Sequence, residues 1–354
     1  MVHIGIAGIG FMGVTHYKAL AEVETADVAA ICTRDPKKLA GDWGQVQGNF
    51  GGKGGVHDLS ALRCYGRIDE LIADDRIDLV DVCLPSAMHA SVTVAALEAG
   101  KHVLVEKPIA LTVEDADRMI ASAQANGRQL MVGQVLRFWP DWRLLRDAVA
   151  DGRYGRLLAL NLRRIISKPD WSDQIADIAA NGGPLIDLHI HDADFLLFVL
   201  GRPQRVVCSG RSADGHVIYI SSQYDYGEDG PIVSCQSGAA AMPGRPFKHA
   251  YEACFERGTL SFSGATQRGA CDAAAEQSES HVLRVYDDAG GVTYPQTDGA
   301  DGFVLQLQHV AQCAAEDRPS PIIDGRFGRD ALKLVKLEGE SLRRGESLEV
   351  RMPG

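Results

Sequence analysis

The chain reads as an α/β protein with a doubly wound parallel sheet first, followed by an α+β domain built on a large, mostly antiparallel open sheet. Two observations predict this. Up to residue 128, short apolar runs alternate with amphipathic stretches, and strand–helix alternation implies a parallel sheet covered on both faces. From residue 129 to 354 the texture changes to strand-length segments with turn-rich joints, interrupted by a few helices, which implies antiparallel pairing. The expected domains are therefore 1–128 and 129–354, with the last helix free to pack back on the first.

In chain order, HIGIAGIG, ADVAAIC, LVDVCLP and KHVLVEKP read as strands, with QLMVGQVL as a further buried strand. VTHYKALAEV, SVTVAALEAG and VEDADRMIASAQANG carry helical spacing. The stretch from GDWGQVQGNF to GGKGGVHDLSAL is rich in Gly and Asp. It is long for a connection, and is expected to be an insertion serving as a flexible lid. Beyond it, RLLALNLRRI, RVVCSGRS, HVIYISSQYDYG, GPIVSCQSGAAA, YEACFERGTLSFSG and VLRVYDD read as strands. WPDWRLLRDAVADG, DADFLLFVLG, FVLQLQHVAQCAAED and FGRDALKLVKLEGESLRRG read as helices.

A net charge of −11 argues against a nucleic-acid or anionic-membrane surface, which needs clustered Lys and Arg. No apolar run approaches the ~20 residues needed to cross a bilayer, and the chain opens directly on a strand, not a signal peptide. The eight cysteines are scattered with no Cys-x-x-Cys pair, and are expected as free thiols of a cytoplasmic protein. Cys83, in LVDVCLP, is expected to be plain core.

GIAGIGFMG places Gly8, Gly10 and Gly13 in a G-x-G-x-x-G turn between strand and helix. Gly8 suits the tight turn, Gly10 close approach of a pyrophosphate, and Gly13 close helix–strand packing. With Phe11 and Met12 at the helix start, this predicts dinucleotide binding and a Rossmann domain. The second strand ends ICTRDPKK, where an NAD enzyme commonly carries an acid for the ribose. Thr33 occupies that place and Arg34 follows. With Lys37 and Lys38 nearby they suit a 2′-phosphate, so the expected cofactor is NAD(P), NADP favoured over NAD. Asp35 is the counter-reading: a register shifted by two makes it the ribose acid.

Glu106-Lys107-Pro108 follows a buried strand. Ligands of open α/β sheets bind at the carboxyl ends of strands, so Lys107 should project toward the nicotinamide. These residues, LPSAMHASVTVAALEAGKHVLVEKPIALT around them, and GGPLIDLHIHDADFLLFVLG further on resemble the Gfo/Idh/MocA oxidoreductases, the family of glucose–fructose oxidoreductase and inositol dehydrogenase. The resemblance implies a Rossmann domain, a sheet-rich domain, and hydride exchange with a secondary alcohol or ketone of a sugar or cyclitol such as inositol. It also implies that Lys107 bonds the reacting oxygen, that Asp187 orients His191 as the acid–base histidine, and that Leu84, Pro85, His89 and Glu106 surround the nicotinamide. The family's Thr and Asn at the Leu84-Pro85-Ser86 turn are replaced here. Where relatives often have glycine between the Asp and the His, this chain has His189.

The residues agree by themselves. If a helix begins by residue 187, four-residue spacing puts Asp187 and His191 about 40° apart on one face, with His189 nearly opposite. A His with an ordinary pKa near 6.5 suits removal of a hydroxyl proton, and a cationic Lys stabilises the alkoxide. Were the segment extended instead, Asp187, His189 and His191 would share a face as a three-ligand metal set; the following FLLFVLG favours the helix, and no metal is expected. Asp192 and Asp194 read as an acidic first helical turn. Gln134, Trp171 and His189 are the substrate-pocket candidates, with Arg137 near Gln134. His249 and Tyr251 read as sheet positions. The alternatives to a dehydrogenase are nucleotide-assisted glycoside cleavage through a 3-keto sugar and a non-catalytic nucleotide-binding regulator. The expected partners are a neutral polyol or sugar and a second or further copies of the chain, as homodimer or homotetramer, with no nucleic acid and no membrane.

Overall fold

The computed structural model describes residues 1–48, 54–167, 182–213, 215–242, 245–266, 282–297 and 299–352. Trp171 lies outside them. The chain divides into two compact units, Met1–Phe138 with Ala300–Leu332 and Trp139–Gly299 with Lys333–Gly354. The first unit thus takes in residues 129–138 and 300–332, which fall after 128 in the sequence reading.

The first unit holds a six-stranded parallel sheet. Its strands are β1 (Val2–Ala7), β2 (Ala26–Cys32), β3 (Arg63–Tyr65), β4 (Leu79–Val82), β5 (His102–Glu106) and β6 (Leu130–Gly133), in the order β3-β2-β1-β4-β5-β6. The order reverses between β1 and β4, the point where such sheets bind dinucleotides. Strands covered on both faces need continuous apolar sequence; Ile4, Ile6, Val80, Val82, Val103 and Leu104 are all completely buried. Helices α1 (Phe11–Leu20), α2 (Pro36–Leu39), α3 (Ile68–Ile72), α4 (His89–Glu98) and α5 (Val113–Asn126) connect the strands. Local chemistry sets their ends. Thr112 accepts the Asp115 amide and Gly127 closes α5 in the left-handed region at φ 59°. The short β3 and α3 have no periodic signature and were not legible in the sequence.

The described part of the insertion after β2 is packed around Trp43. Trp43 is fully buried, its ring centroid 4.7 Å from Tyr17 on α1 and 4.3 Å from His57, and its indole N–H donates to the Lys38 carbonyl at 2.9 Å. Residues 49–53 lie outside the described part.

In the second unit, α6 (Pro140–Asp151) leads into β7 (Leu157–Ser167); α7 (Gly183–Asp187) and α8 (Ile190–Leu200) follow. Then come β8 (Arg205–Ala213), β9 (His216–Asp225), β10 (Ile232–Ala241), β11 (Phe247–Phe255), β12 (Gly258–Thr266), β13 (Val282–Asp287) and β14 (Val292–Thr293). Helix α9 (Gly302–Ala315) belongs to the first unit, where it packs on α1. The chain ends with α10 (Gly325–Arg344) and β15 (Leu348–Glu349). The nine-stranded sheet runs β14-β13-β12-β11-β7-β10-β9-β8-β15, antiparallel except for the central β7–β10 pair. YEACFERGTLSFSG proves to be a hairpin, β11–β12, and Tyr251 and His249 are indeed sheet residues. One face of the sheet packs under α7 and α8; on the other, Ile232 is 78% and Val207 39% exposed. No helix among the described residues is long and apolar enough to cross a membrane.

Candidate active site

The residues singled out in the first unit all leave the sheet at the carboxyl ends of its strands: Gly8 to Gly13 after β1, Thr33 and Arg34 after β2, Leu84 and Pro85 after β4, Lys107 after β5, Gln134 after β6. The three glycines have three separable jobs. Gly8 has φ 103°, and a Cβ there would lie 2.5 Å from the Cys83 carbonyl oxygen. A Cβ on Gly13 would lie 1.9 Å from the Gly8 oxygen, so strand turn and helix approach as only glycine permits. Around Gly10 a Cβ would meet nothing within 4 Å. That open backbone at the start of α1, which no side chain caps among the described residues, is the cradle a pyrophosphate requires. These residues fit a dinucleotide. Phe11 and Met12 are half-buried; a Cβ on Gly48 would fall 2.0 Å from the Phe11 ring, so the insertion backbone lies against it.

At the end of β2, Arg34 is exposed and Thr33 half-buried, its hydroxyl accepting the Asp35 amide at 3.3 Å. Asp35 caps α2, accepting the Lys37 amide at 2.9 Å, with Pro36 at the first helical position. Lys38 donates its ammonium to the Ile9 carbonyl at 2.8 Å; it braces the glycine turn, a place nearer the cradle than the strand-end cluster expected.

Two expected nicotinamide neighbours are braces instead. His89 is 1% exposed and both ring nitrogens face backbone carbonyls, Nδ1 that of Pro108 and Nε2 that of Leu84, each at 2.8 Å. Burial pushes its pKa down while the carbonyls favour the charged ring, which alone donates to both. It ties the β4 exit to the Lys107–Pro108 segment and keeps no polar atom for a nucleotide. Glu106 is buried as well: one carboxylate oxygen accepts the Lys107 amide at 3.2 Å, the other lies 3.2 Å from His16 Nε2. His16 Nδ1 in turn pairs with Asp81 at 2.8 Å, and the Cys83 thiol sits 3.5 Å from both. Burial alone would lower the His16 pKa, but Asp81 and Cys83 outweigh it and hold it well above the ordinary value. Cys83 is therefore more than filler, its own pKa raised by burial and by Asp81. The sequence signal for this cluster was Asp81 itself, since a carboxylate inside a buried strand demands a partner.

Gln134 and Arg137 do not line an open cleft. Gln134 is 1% exposed, its amide closed off and without a hydrogen bond among the described residues. Arg137 donates to the Ile322 carbonyl and stacks 5.0 Å from the Phe327 ring. Lys107 is half-buried at the β5 exit.

In the second unit, LIDLHIHDAD is sorted by burial. α7 ends at Asp187 and α8 begins at Ile190, so the single helix expected is two, joined through Leu188 (φ −104°) and His189 (φ −67°), which both stay right-handed. Asp187 and His191 are partly exposed; His189, Asp192 and Asp194 are fully buried. His189 therefore offers nothing to a substrate. Its Nδ1 lies 2.8 Å from the Ser237 hydroxyl and its Nε2 3.0 Å from Glu338. Asp192 does stand in the first turn of α8, as expected, but it is buried there and takes a bidentate ion pair from Arg164 at 2.8 and 2.9 Å. The metal set Asp187–His189–His191 does not form. Groups of His, Cys and acid with ligand atoms within 4.8 Å of one another are, among the described residues, His16–Asp81–Cys83 and His189–Asp192–Cys235.

The fold and its glycine turn define a dinucleotide-binding protein with a second, sheet-based domain. Residues 2–134 match the oxidoreductase family with an NAD-binding Rossmann fold, and residues 142–261 the GFO/IDH/MocA C-terminal domain. The chain belongs to the Gfo/Idh/MocA oxidoreductase family. It is 38% identical over 151 residues to a 1,5-anhydro-D-fructose reductase of Ensifer adhaerens, covering 41% of this chain and 45% of that one. It is 30% identical over 217 residues to a myo-inositol 2-dehydrogenase of Thermotoga maritima, 61% and 59% covered. The chain thus spans about half the length of the curated relatives it matches. A solved aldose–aldose oxidoreductase from Caulobacter crescentus, in complex with glycerol, shares the fold over 99% of both chains, with TM-score 0.81 and 24% identity.

Proposed function

We propose that this protein is an NAD(P)-dependent dehydrogenase or reductase that moves hydride between nicotinamide and a secondary alcohol or ketone carbon of a neutral sugar or cyclitol. The observation that carries the reading is the sorting of LIDLHIHDAD: Asp187 and His191 alone among its ionisable residues keep solvent access. In the oxidative direction His191 takes the hydroxyl proton, Asp187 orients His191, and Lys107 stabilises the developing oxyanion. A bound nucleotide would supply the hydride acceptor, and the backbone of Gly10 and the start of α1 would hold its pyrophosphate. The relatives named as reductase and dehydrogenase of anhydrofructose and myo-inositol support the substrate class.

For the cofactor, exposed Arg34 and the use of Asp35 as a helix cap support NADP over NAD. Cytoplasmic residence and a homodimer or homotetramer belong to the same reading; exposed Ile232 and Val207 on the sheet face opposite α7 and α8 support self-association, and light scattering of the purified chain tests it. The activity is tested by screening inositols, aldoses and anhydrosugars with both nucleotides at 340 nm. Oxidation or reduction by the wild type that disappears in His191→Ala and Lys107→Ala supports the reading. Near-normal turnover in both variants refutes the roles, and sugar cleavage with no net nucleotide change points instead to the 3-keto glycoside route.

A further inference from the structure

A charged cluster lies buried in the second unit and has no part in the chemistry above. Glu338 on α10 accepts a hydrogen bond from the Tyr224 hydroxyl of β9 through one oxygen, and its other oxygen lies 3.0 Å from His189 Nε2. His189 Nδ1 lies 2.8 Å from the Ser237 hydroxyl of β10, which donates to Asp192 at 3.3 Å. Asp192 on α8 is clamped by Arg164 of β7, whose guanidinium stands over the Trp142 and Phe247 rings at 5.8 Å each. Cys235 lies 3.7 Å from His189. Glu338, His189 and Asp192 are completely buried, and Arg164, Ser237 and Tyr224 no more than 4% exposed.

With His189 charged, the cluster balances. Two cations, His189 and Arg164, face two anions, Glu338 and Asp192, and each donor meets an acceptor: Tyr224 and His189 donate to Glu338, His189 donates to Ser237, and Ser237 and Arg164 donate to Asp192. Isolated charges in such a place are costly, so the four hold one another in place. Burial alone would lower the His189 pKa; Glu338 and Cys235 outweigh it and hold it well above the ordinary value. Two members of the cluster, 189 and 192, flank residue 191 in the chain, at the joint between α7 and α8.

We propose that His189 and Glu338 are positioning residues for His191: their ion pair, continued through Ser237 to the Asp192–Arg164 pair, fixes the joint that carries His191 from both sides. This rests on the reading of His191 as the acid–base group, and predicts that the cluster sets His191's geometry without touching substrate.

The test needs no substrate. The full-length chain is labelled with 13C at the histidine Cε1 and titrated by NMR. His191→Gln and His189→Asn assign the two resonances. The wild-type His189 signal should stay that of an imidazolium well above the pH where ordinary histidines titrate. In Glu338→Gln and in His189→Asn the His191 signal should change position and its titration midpoint should move. Tyr224→Phe, which deletes one hydroxyl and keeps the ring, should shift it the same way by less, and serves if the charge variants do not fold. A purely structural role would lower melting temperature without moving the His191 midpoint. An unchanged His191 signal in every folded variant overturns the proposal. The outcome is separable from the proposed function, which falls only if His191→Ala still turns over.

Discussion

The glycine turn permits a prediction in which one methyl group, placed at two nearby positions, has opposite consequences. In Gly13→Ala the new carbon would start 1.9 Å from the Gly8 oxygen. Restoring even a 3.0 Å contact moves the start of α1 by roughly 1 Å against a close-packed sheet, an overpacking that costs about 1–3 kcal/mol or more. In Gly10→Ala the carbon meets nothing within 4 Å, and the backbone there, φ −95° and ψ −161°, is one alanine adopts freely. Reducing the freedom of the unfolded chain should then stabilise the protein by about 0.4–1 kcal/mol. Yet that methyl would enter the space proposed for the pyrophosphate. Thermal melts with nucleotide-binding titrations, followed by nicotinamide fluorescence, should show Gly13→Ala losing both stability and affinity. Gly10→Ala should keep or gain stability and lose binding by at least about tenfold, or 1.4 kcal/mol. Full affinity in Gly10→Ala would refute the placement of the pyrophosphate. Equal destabilisation by both would refute the geometry of the turn.

Other outcomes follow from the same structure. Arg34→Ala should weaken NADP by about tenfold or more, one charge-assisted phosphate contact, while leaving NAD within about twofold; equal losses would remove Arg34 from the 2′-phosphate. Asp35→Ala should cost about 1 kcal/mol through the lost α2 cap with nucleotide choice unchanged, and a selective loss of NAD binding would show that Asp35 is the ribose acid after all. The buried His189 also gives a pH dependence. Because its folded pKa is raised, the stability it contributes is fully present below about pH 6.5 and fades as pH rises through the folded value. Differential scanning fluorimetry across the alkaline side should show the wild type losing stability there and Glu338→Gln starting lower, by roughly 3 kcal/mol, with a flatter profile; parallel profiles would contradict it.

Much of the architecture was legible because buried parallel strands must be continuously apolar, and the runs around Ile4, Val80 and Val103 are. The glycines were legible because steric limits at Gly8 and Gly13 admit nothing larger. Burial was harder to read. His89, Glu106 and His189 carry polar groups expected at a ligand, yet each is spent on neighbours 2.8 to 3.2 Å away that are distant in sequence. One hint was available: Glu338 sits on the apolar face of α10, three and four residues from buried Val335 and Leu334, and a carboxylate there needs a cation. The helix break after Asp187 left no trace, since Leu188 and His189 stay right-handed across it.

The central claim is hydride transfer dependent on His191. It is tested most directly by following 340 nm absorbance for wild type and His191→Ala across a panel of inositols, aldoses and anhydrosugars, with NADP and NAD in both redox states. The account predicts that the wild type turns over at least one polyol or sugar of the panel, and that His191→Ala loses roughly two or more orders of magnitude in kcat while still binding nucleotide. Turnover retained in His191→Ala, or a wild type that binds nucleotide and moves hydride to or from no member of the panel, would contradict it.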